Sequence, residues 1–158
     1  MTQFEQALKG IVTQAMTAAA AREESEPSLV CSELAAGRAV IPVNPAHTCL
    51  QPWVVGRAFR TKINANIGLS SECSSADEEL IKLKAVVDAK AEFVMDLSIG
   101  ANARLVRQRM LKQSPLPLGT VPLYEAFGLA GGKSADLSGK LLLRVIREQA
   151  EQGVDFMT

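Results

Sequence analysis

From residue 60 onward, the sequence alternates between short apolar segments typical of β-strands and longer segments with the apolar spacing of amphipathic helices. The strand-like segments are TKINANIG, AEFVMDLS, PLGTVPLY and VDFMT, and the helix-like segments between them are SSADEELIKLKAVVDAK, ANARLVRQRMLKQ and DLSGKLLLRVIREQAEQG. A strand–helix–strand repeat of roughly 30 residues is typical of parallel βαβ units with right-handed crossovers. The sequence therefore predicts a parallel α/β structure with about three strand–helix units and a fourth strand.

Such a pattern fits either an open doubly wound sheet or the first half of a (β/α)8 barrel of the TIM type. An open nucleotide-binding sheet normally has a glycine-rich turn after its first strand, whereas the turn here reads NANIGLSS. We therefore expect the barrel. It would be incomplete in residues 60–158, because such barrels take about 250 residues.

Residues 1–59 are expected to form an N-terminal helical arm followed by an irregular segment. An alanine-rich, helix-prone stretch runs from Gln3 to Glu24 and is broken near Gly10, and a second short helix is predicted to begin near Pro27 and to stop at Gly37. The segment RAVIPVNPAH then predicts a brief strand that Pro45 ends.

The composition argues against several classes of function. Lys and Arg number 17, Asp and Glu also number 17, and the mean hydropathy is +0.11. This balance gives no support for binding to nucleic acid or to an anionic membrane, and we interpret the basic run Arg104–Lys112 as the solvated face of a helix. No apolar run approaches the roughly 20 residues that span a bilayer, and the N-terminus has no signal or transit composition, so a cytoplasmic protein is expected.

Cysteine and histidine spacing gives no metal-binding signature. Cys31, Cys49 and Cys73 match neither a disulfide framework nor a zinc or iron–sulfur motif, so we expect reduced, structural thiols. The single histidine, His47, has no partner at metal-ligand spacing and is interpreted as structural or solvent-exposed. For Asp96 the sequence leaves two interpretations open: a carboxylate that caps a neighbouring helix, or one that takes part in chemistry.

The polar residues of KINANIG indicate a candidate site. Side chains alternate along a strand, so Lys62, Asn64 and Asn66 are expected to share one face. If the opposite, apolar face packs against helices, Asn66 lies at the mouth of the barrel, where barrel active sites are found. The alternative is that Asn66 only satisfies backbone groups of the turn at Gly68, and spacing alone weighs the two about equally.

Two further residues follow Asn66 at equal steps along the sequence. The interval from Asn66 to Met95 is the same as the interval from Met95 to Tyr124, and Met95 and Tyr124 are predicted to close the second and third strands. Collecting one residue from the same end of each strand is how a barrel builds a site. From spacing alone, however, Met95 is more simply a core side chain, and Tyr124 a ring that covers the core with its hydroxyl in water.

Several segments, in order and at their spacings, closely resemble the N-terminal part of the phosphomethylpyrimidine synthase family: TQFEQALKGIVT, GRAVIPVN, VGRAF, KINANIG, VMDLS, GTVPLY and EQAEQGVDF. The resemblance implies a (β/α)8 radical S-adenosylmethionine lyase of thiamine biosynthesis. It would convert 5-aminoimidazole ribotide into 4-amino-5-hydroxymethyl-2-methylpyrimidine phosphate, with a [4Fe-4S] cluster and zinc as further cofactors. It also implies that Asn66, Met95 and Tyr124 bind the ribotide and that the full-length enzyme is a homodimer.

The other elements of the family pattern are expected outside this chain. A substrate-binding histidine in an IHAG-like stretch would follow Thr158, and the zinc-binding histidines and a CxxCxxxxC cluster motif would come later. On this interpretation the chain is an N-terminal portion without cluster or zinc ligands and is inactive alone. Pro45, Ala46 and Leu69 depart from the residues usual in the family, which leaves 5-hydroxybenzimidazole synthase, a cobamide lower-ligand enzyme that uses the same ribotide, as an alternative. A non-catalytic ribotide-binding module or a remnant is the alternative of another class.

Overall fold

The computed structural model describes residues 1–70 and 75–158, which divide into two compact units. The first unit contains residues 1–43 and 51–63, and the second contains residues 44–50 and 64–158. The segment 44–50, predicted to belong to the irregular part of residues 1–59, therefore packs within the second unit, whereas residues 60–63, predicted to belong to the barrel part, lie in the first. Cys73 lies outside the described residues.

The first unit is built from short helices and one small antiparallel sheet: α1 (Gln3–Leu8), α2 (Gln14–Arg22), α3 (Pro27–Ala35), β1 (Ala39–Val40) and β2 (Val55–Gly56). The predicted break near Gly10 is confirmed, since the chain leaves α1 there with a φ of +70° that glycine tolerates. The hydroxyl of Thr13 then caps α2 by accepting a hydrogen bond from the Met16 N–H. Apolar side chains, several of them alanine, fill the core of this unit, including Ala7, Met16, Ala20, Val30 and Leu34.

The second unit contains a parallel sheet of four strands in chain order: β3 (Asn64–Ile67), β4 (Phe93–Asp96), β5 (Leu118–Thr120) and β6 (Phe156–Met157). The residues Ile67, Asp96, Thr120 and Met157 stand in register at the carboxyl ends of these strands. The prediction of a parallel α/β structure is thereby confirmed.

The helices of this unit are α4 (Ala76–Asp88), α5 (Ala103–Leu111), α6 (Pro122–Leu129) and α7 (Gly139–Gln152), with a 3-10 helix at Ser134–Asp136. The predicted capping box of α4 is confirmed, because Ser75 and Glu78 exchange side-chain to backbone hydrogen bonds. Gly153, with a φ of +111°, ends α7 as predicted. Apolar side chains of helices and strands meet in one core, among them Leu83, Val94, Val106, Met110 and Leu118. None of the helices in the described residues is long and apolar enough to cross a bilayer.

The prediction that PLGTVPLY forms one continuous strand is wrong. β5 ends at Thr120, and α6 begins at Pro122, whose fixed φ and missing N–H suit the first turn of a helix. Tyr124 therefore lies in the first turn of α6 instead of closing the third strand. The apolar residues of VPLY are too few to distinguish a strand from a helix by their period, so the proline was the informative residue.

Candidate functional site

Asn66 and Met95 lie side by side near the carboxyl edge of the sheet. They are in register on β3 and β4, one residue before the end of each strand, so their side chains share one face. Asn64 is on the same face of β3, and its Nδ2 donates a hydrogen bond to Asn66 Oδ1 at 2.9 Å. Both asparagines are exposed, so this face of β3 is open to a ligand. Lys62, predicted on that face, lies ahead of the strand in the first unit, where its Nζ is 2.5 Å from the Glu23 carboxylate.

Gly119 on β5 and Phe156 on β6 stand in register with Asn66 and Met95, so these four residues form one row across the sheet. The Phe156 ring occupies the space above Gly119, and it meets the Phe93 ring edge to face with centroids 5.6 Å apart. Met95 is half-buried in this row. The face therefore combines exposed amide groups, a thioether and aromatic rings, which together suit a small ligand that has both a planar ring and polar substituents.

Hydrogen bonds join the residues that directly follow β3 to those that directly follow β4. The ladder continues beyond the strands, since the Leu97 N–H donates to the Ile67 carbonyl at 2.8 Å and the Ile99 N–H donates to the Leu69 carbonyl at 2.9 Å. Gly68 has a φ of +149°, and its N–H donates to Glu79 Oε2 at 2.9 Å. The buried Glu79, in the first turn of α4, thus holds the backbone N–H of Gly68, two residues after Asn66.

Asp96 belongs to the opposite, helix-facing side of the sheet. Its Oδ1 accepts a hydrogen bond from the Ser98 N–H at 2.9 Å, so it stabilises the turn after its own strand, and it caps none of the helices in residues 1–70 and 75–158. Burial raises the pKa of Asp96, and the hydrogen bonds from Ser98 and the charge of Arg107 only partly oppose that effect. The carboxyl group is therefore easier to protonate than an exposed aspartate.

Arg107 contradicts the interpretation of Arg104–Lys112 as a solvated helix face. It is only 2% exposed, and its Nη1 and Nη2 both donate to Glu125 Oε2, at 2.8 and 2.6 Å. The sequence did contain a signal for this burial. Arg107 continues the apolar stripe of α5 that Ala103, Val106 and Met110 define, and a charged residue within such a stripe needs a partner.

His47 is a buried structural residue, in agreement with one of the two expectations for it. Its Nδ1 lies 2.7 Å from Asp155 Oδ2, and its Nε2 lies 2.9 Å from the Ser114 carbonyl oxygen. Both ring nitrogens face acceptors, so the protonated imidazolium satisfies both bonds. Burial tends to lower the pKa of His47, but the Asp155 carboxylate and the Ser114 carbonyl outweigh it and raise that pKa above its ordinary value.

Stability is expected to decrease as the pH rises through the folded-state pKa of His47. Because that pKa is raised on folding, the contribution of His47 is fully present below the unfolded value and is lost above the folded one. Urea unfolding between pH 5 and 9 measures the loss, and NMR titration of the single histidine measures the pKa directly. His47→Gln should remove this part of the pH dependence, and an unchanged profile in that variant would contradict the assignment.

The described residues do not form a site for a metal ion or an iron–sulfur cluster. Within residues 1–70 and 75–158, no group of three or more His, Cys, Asp or Glu side chains is placed to hold a metal. Cys31 and Cys49 are free thiols, as predicted, and their Sγ atoms point at backbone carbonyl oxygens, of Ala7 at 3.9 Å and of Ser114 at 3.1 Å. We therefore assign no reaction step through a cluster or zinc to these residues.

Comparison with known proteins identifies relatives along almost the entire chain. The sequence profile of the Radical SAM ThiC family matches residues 2–158. A phosphomethylpyrimidine synthase of Haloarcula marismortui is 48% identical over 158 residues, and one of Natronomonas pharaonis is 46% identical over 157 residues. These matches cover 100% and 99% of this chain, which spans about a third (33%) of the length of each relative. The chain therefore belongs to the Radical SAM ThiC family.

Proposed function

We propose that this chain supplies the first strands of a (β/α)8 barrel and part of the ribotide site of a phosphomethylpyrimidine synthase. The observation that carries the proposal is the position of Asn66 and Met95, in register at the carboxyl edge of a parallel sheet, in a chain of this family. Barrel enzymes build their sites at this edge. Tyr124 follows the carboxyl end of β5 by four residues and so belongs to the same edge.

The three side chains have complementary chemistry toward a ribotide. Asn64 fixes the amide of Asn66 by donating to its Oδ1, and no hydrogen bond among the described residues occupies Asn66 Nδ2, which is left to donate to a ligand. The hydroxyl of Tyr124 can donate or accept, and the residue is 46% exposed. Met95 offers a polarisable thioether for packing against a planar ring.

In this proposal, the substrate is 5-aminoimidazole ribotide and the product is the hydroxymethylpyrimidine phosphate of thiamine biosynthesis. The enzyme is a carbon–carbon lyase that uses S-adenosylmethionine and a [4Fe-4S] cluster, with zinc as a second metal. The residues described here bind and orient the ribotide. 5-Hydroxybenzimidazole synthase would use the same ribotide, so the product formed by the protein that carries these residues distinguishes the two activities.

The proposal is tested by titrating the purified 158-residue chain with 5-aminoimidazole ribotide in a calorimeter. We expect saturable binding, and Asn66→Ala should weaken it about tenfold, since a lost hydrogen bond to a ligand costs about 1–1.5 kcal/mol. Gln113→Ala serves as the control, because it removes an exposed amide that follows the C-terminus of α5. Absence of binding by the unmodified chain, or equal affinity of the Asn66→Ala and Gln113→Ala variants, would contradict the proposal.

A further inference from the structure

Tyr124 lies in α6, a short helix with few buried residues and no side-chain cap among the described residues. α6 contains eight residues, and only Val121 separates it from β5. Among the described residues no side chain caps its N-terminus, and its buried residues are Pro122 and Ala126. A helix of this length is not stable by itself, so its orientation depends on contacts with its neighbours. Those contacts also determine where Tyr124 lies.

Gln149 of α7 holds both ends of the segment that contains Tyr124. The Thr120 hydroxyl, at the end of β5, donates to Gln149 Oε1 at 2.6 Å. Gln149 Nε2 in turn donates to Glu125 Oε2 at 2.7 Å, one residue beyond Tyr124. Gln149 is 2% exposed, so water does not compete for these bonds. One buried amide thus fixes the length and direction of the turn from residue 120 to residue 125.

Arg107 holds the same carboxylate from the side of α5. Both of its terminal nitrogens donate to Glu125 Oε2, the oxygen that also accepts from Gln149. Bonds of a guanidinium to a carboxylate are short and directional, and here they are largely removed from water. Glu125 is therefore held from two helices, α5 and α7, and Tyr124 is its direct neighbour in the sequence.

We propose that Glu125 and Gln149, supported by Arg107, are positioning residues that hold Tyr124 at the carboxyl edge of the sheet. They lie on the helix-facing side and act through the backbone of α6 without touching the ligand. The part of this proposal that concerns ribotide binding rests on the proposed function. The geometric part, that this network sets the position of Tyr124, can be tested without any ligand.

The test uses Tyr124 as its own reporter, because it is the single tyrosine of the chain. Protein labelled with 3-fluorotyrosine should give one sharp 19F resonance. Gln149→Met removes the amide at similar size, and Thr120→Val removes one hydrogen bond with an isosteric residue that suits a strand. We expect both variants to shift or broaden the resonance, and Gln149→Met to do so more strongly. Gln152→Met, the matched exchange three residues along α7, should leave it unchanged.

The outcomes separate a positioning role from a merely structural one. If Gln149→Met and Thr120→Val unfold at lower urea concentrations but keep the 19F resonance of the unmodified chain, the network only stabilises the fold and the proposal is overturned. Thr120→Val decides the question alone if Gln149→Met does not fold. In the ribotide titration, we expect Gln149→Met to weaken binding about tenfold. If the unmodified chain binds no ribotide, the proposed function fails for this chain, while the 19F result still decides the positioning role.

Discussion

Replacing Asp155 with alanine is expected to lower the free energy of unfolding by about 3–5 kcal/mol, the usual cost of removing one partner from a buried ion pair. The carboxylate accepts hydrogen bonds from His47 Nδ1 at 2.7 Å, from the Leu118 N–H at 2.8 Å and from the Asn44 N–H at 2.9 Å. The side chains of His47 and Asp155 are fully buried. Alanine would leave His47 Nδ1 and two backbone N–H groups without their acceptor, and urea unfolding at pH 6 measures the loss.

Two further variants serve as comparisons for the loss of stability in Asp155→Ala. Asp155→Asn keeps one oxygen acceptor but removes the charge, so its loss should be smaller than that of alanine. Asp136→Ala, in the exposed 3-10 helix, should change the free energy of unfolding by less than about 0.5 kcal/mol. A loss for Asp155→Ala as small as that of Asp136→Ala would show that the three hydrogen bonds contribute little net stability.

Local features of this fold could be predicted because their determinants are close together in the sequence. The capping box of Ser75 and Glu78 spans three residues, and the cap at Gly153 needs only a residue that tolerates positive φ. The contact of His47 with Asp155 joins residues 108 positions apart, and Arg107 meets Glu125 across two helices. No local pattern specifies such partners, although a charged residue within an apolar stripe indicates that one is required.

Equal spacing along the sequence correctly predicted that Asn66 and Met95 lie in register, but it did not predict the position of Tyr124. The step from Asn66 to Met95 does join two residues in register, because one complete strand–helix unit lies between them. The residue in register with Met95 on the next strand is Gly119, which comes earlier in the chain than a second equal step would reach. Tyr124, at that second step, reaches the carboxyl edge by a different route, as part of an extra helix that the sequence analysis did not predict. Its role as a ribotide ligand stays a prediction.

Replacing Gly68, which directly follows β3, with alanine is expected to destabilise the second unit strongly. A Cβ at this position would lie 2.5 Å from the Ser98 nitrogen and 2.6 Å from the Leu97 carbonyl carbon. Both are backbone atoms, so relief requires the β4 loop to move and to lose its ladder bond with Ile67. The φ of +149° adds strain of about 1–3 kcal/mol for any residue with a side chain. We expect a total loss of at least about 3 kcal/mol in urea unfolding.

Gly119→Ala is the matched comparison, because its Cβ would also meet atoms at an impossibly short distance, yet those atoms belong to the Phe156 ring. A ring at the end of a side chain can rotate away, and Gly119 has no positive φ to strain, so we expect a loss of only about 1–2 kcal/mol. The two variants therefore separate backbone obstruction from side-chain crowding in one sheet. Because Gly68 directly follows the end of β3, Gly68→Ala should also weaken ribotide binding through Asn66. If the Gly68→Ala variant is as stable as the Gly119→Ala variant or more stable, the close backbone packing between Gly68 and the residues after β4, which is proposed to hold Asn66 in place, is contradicted.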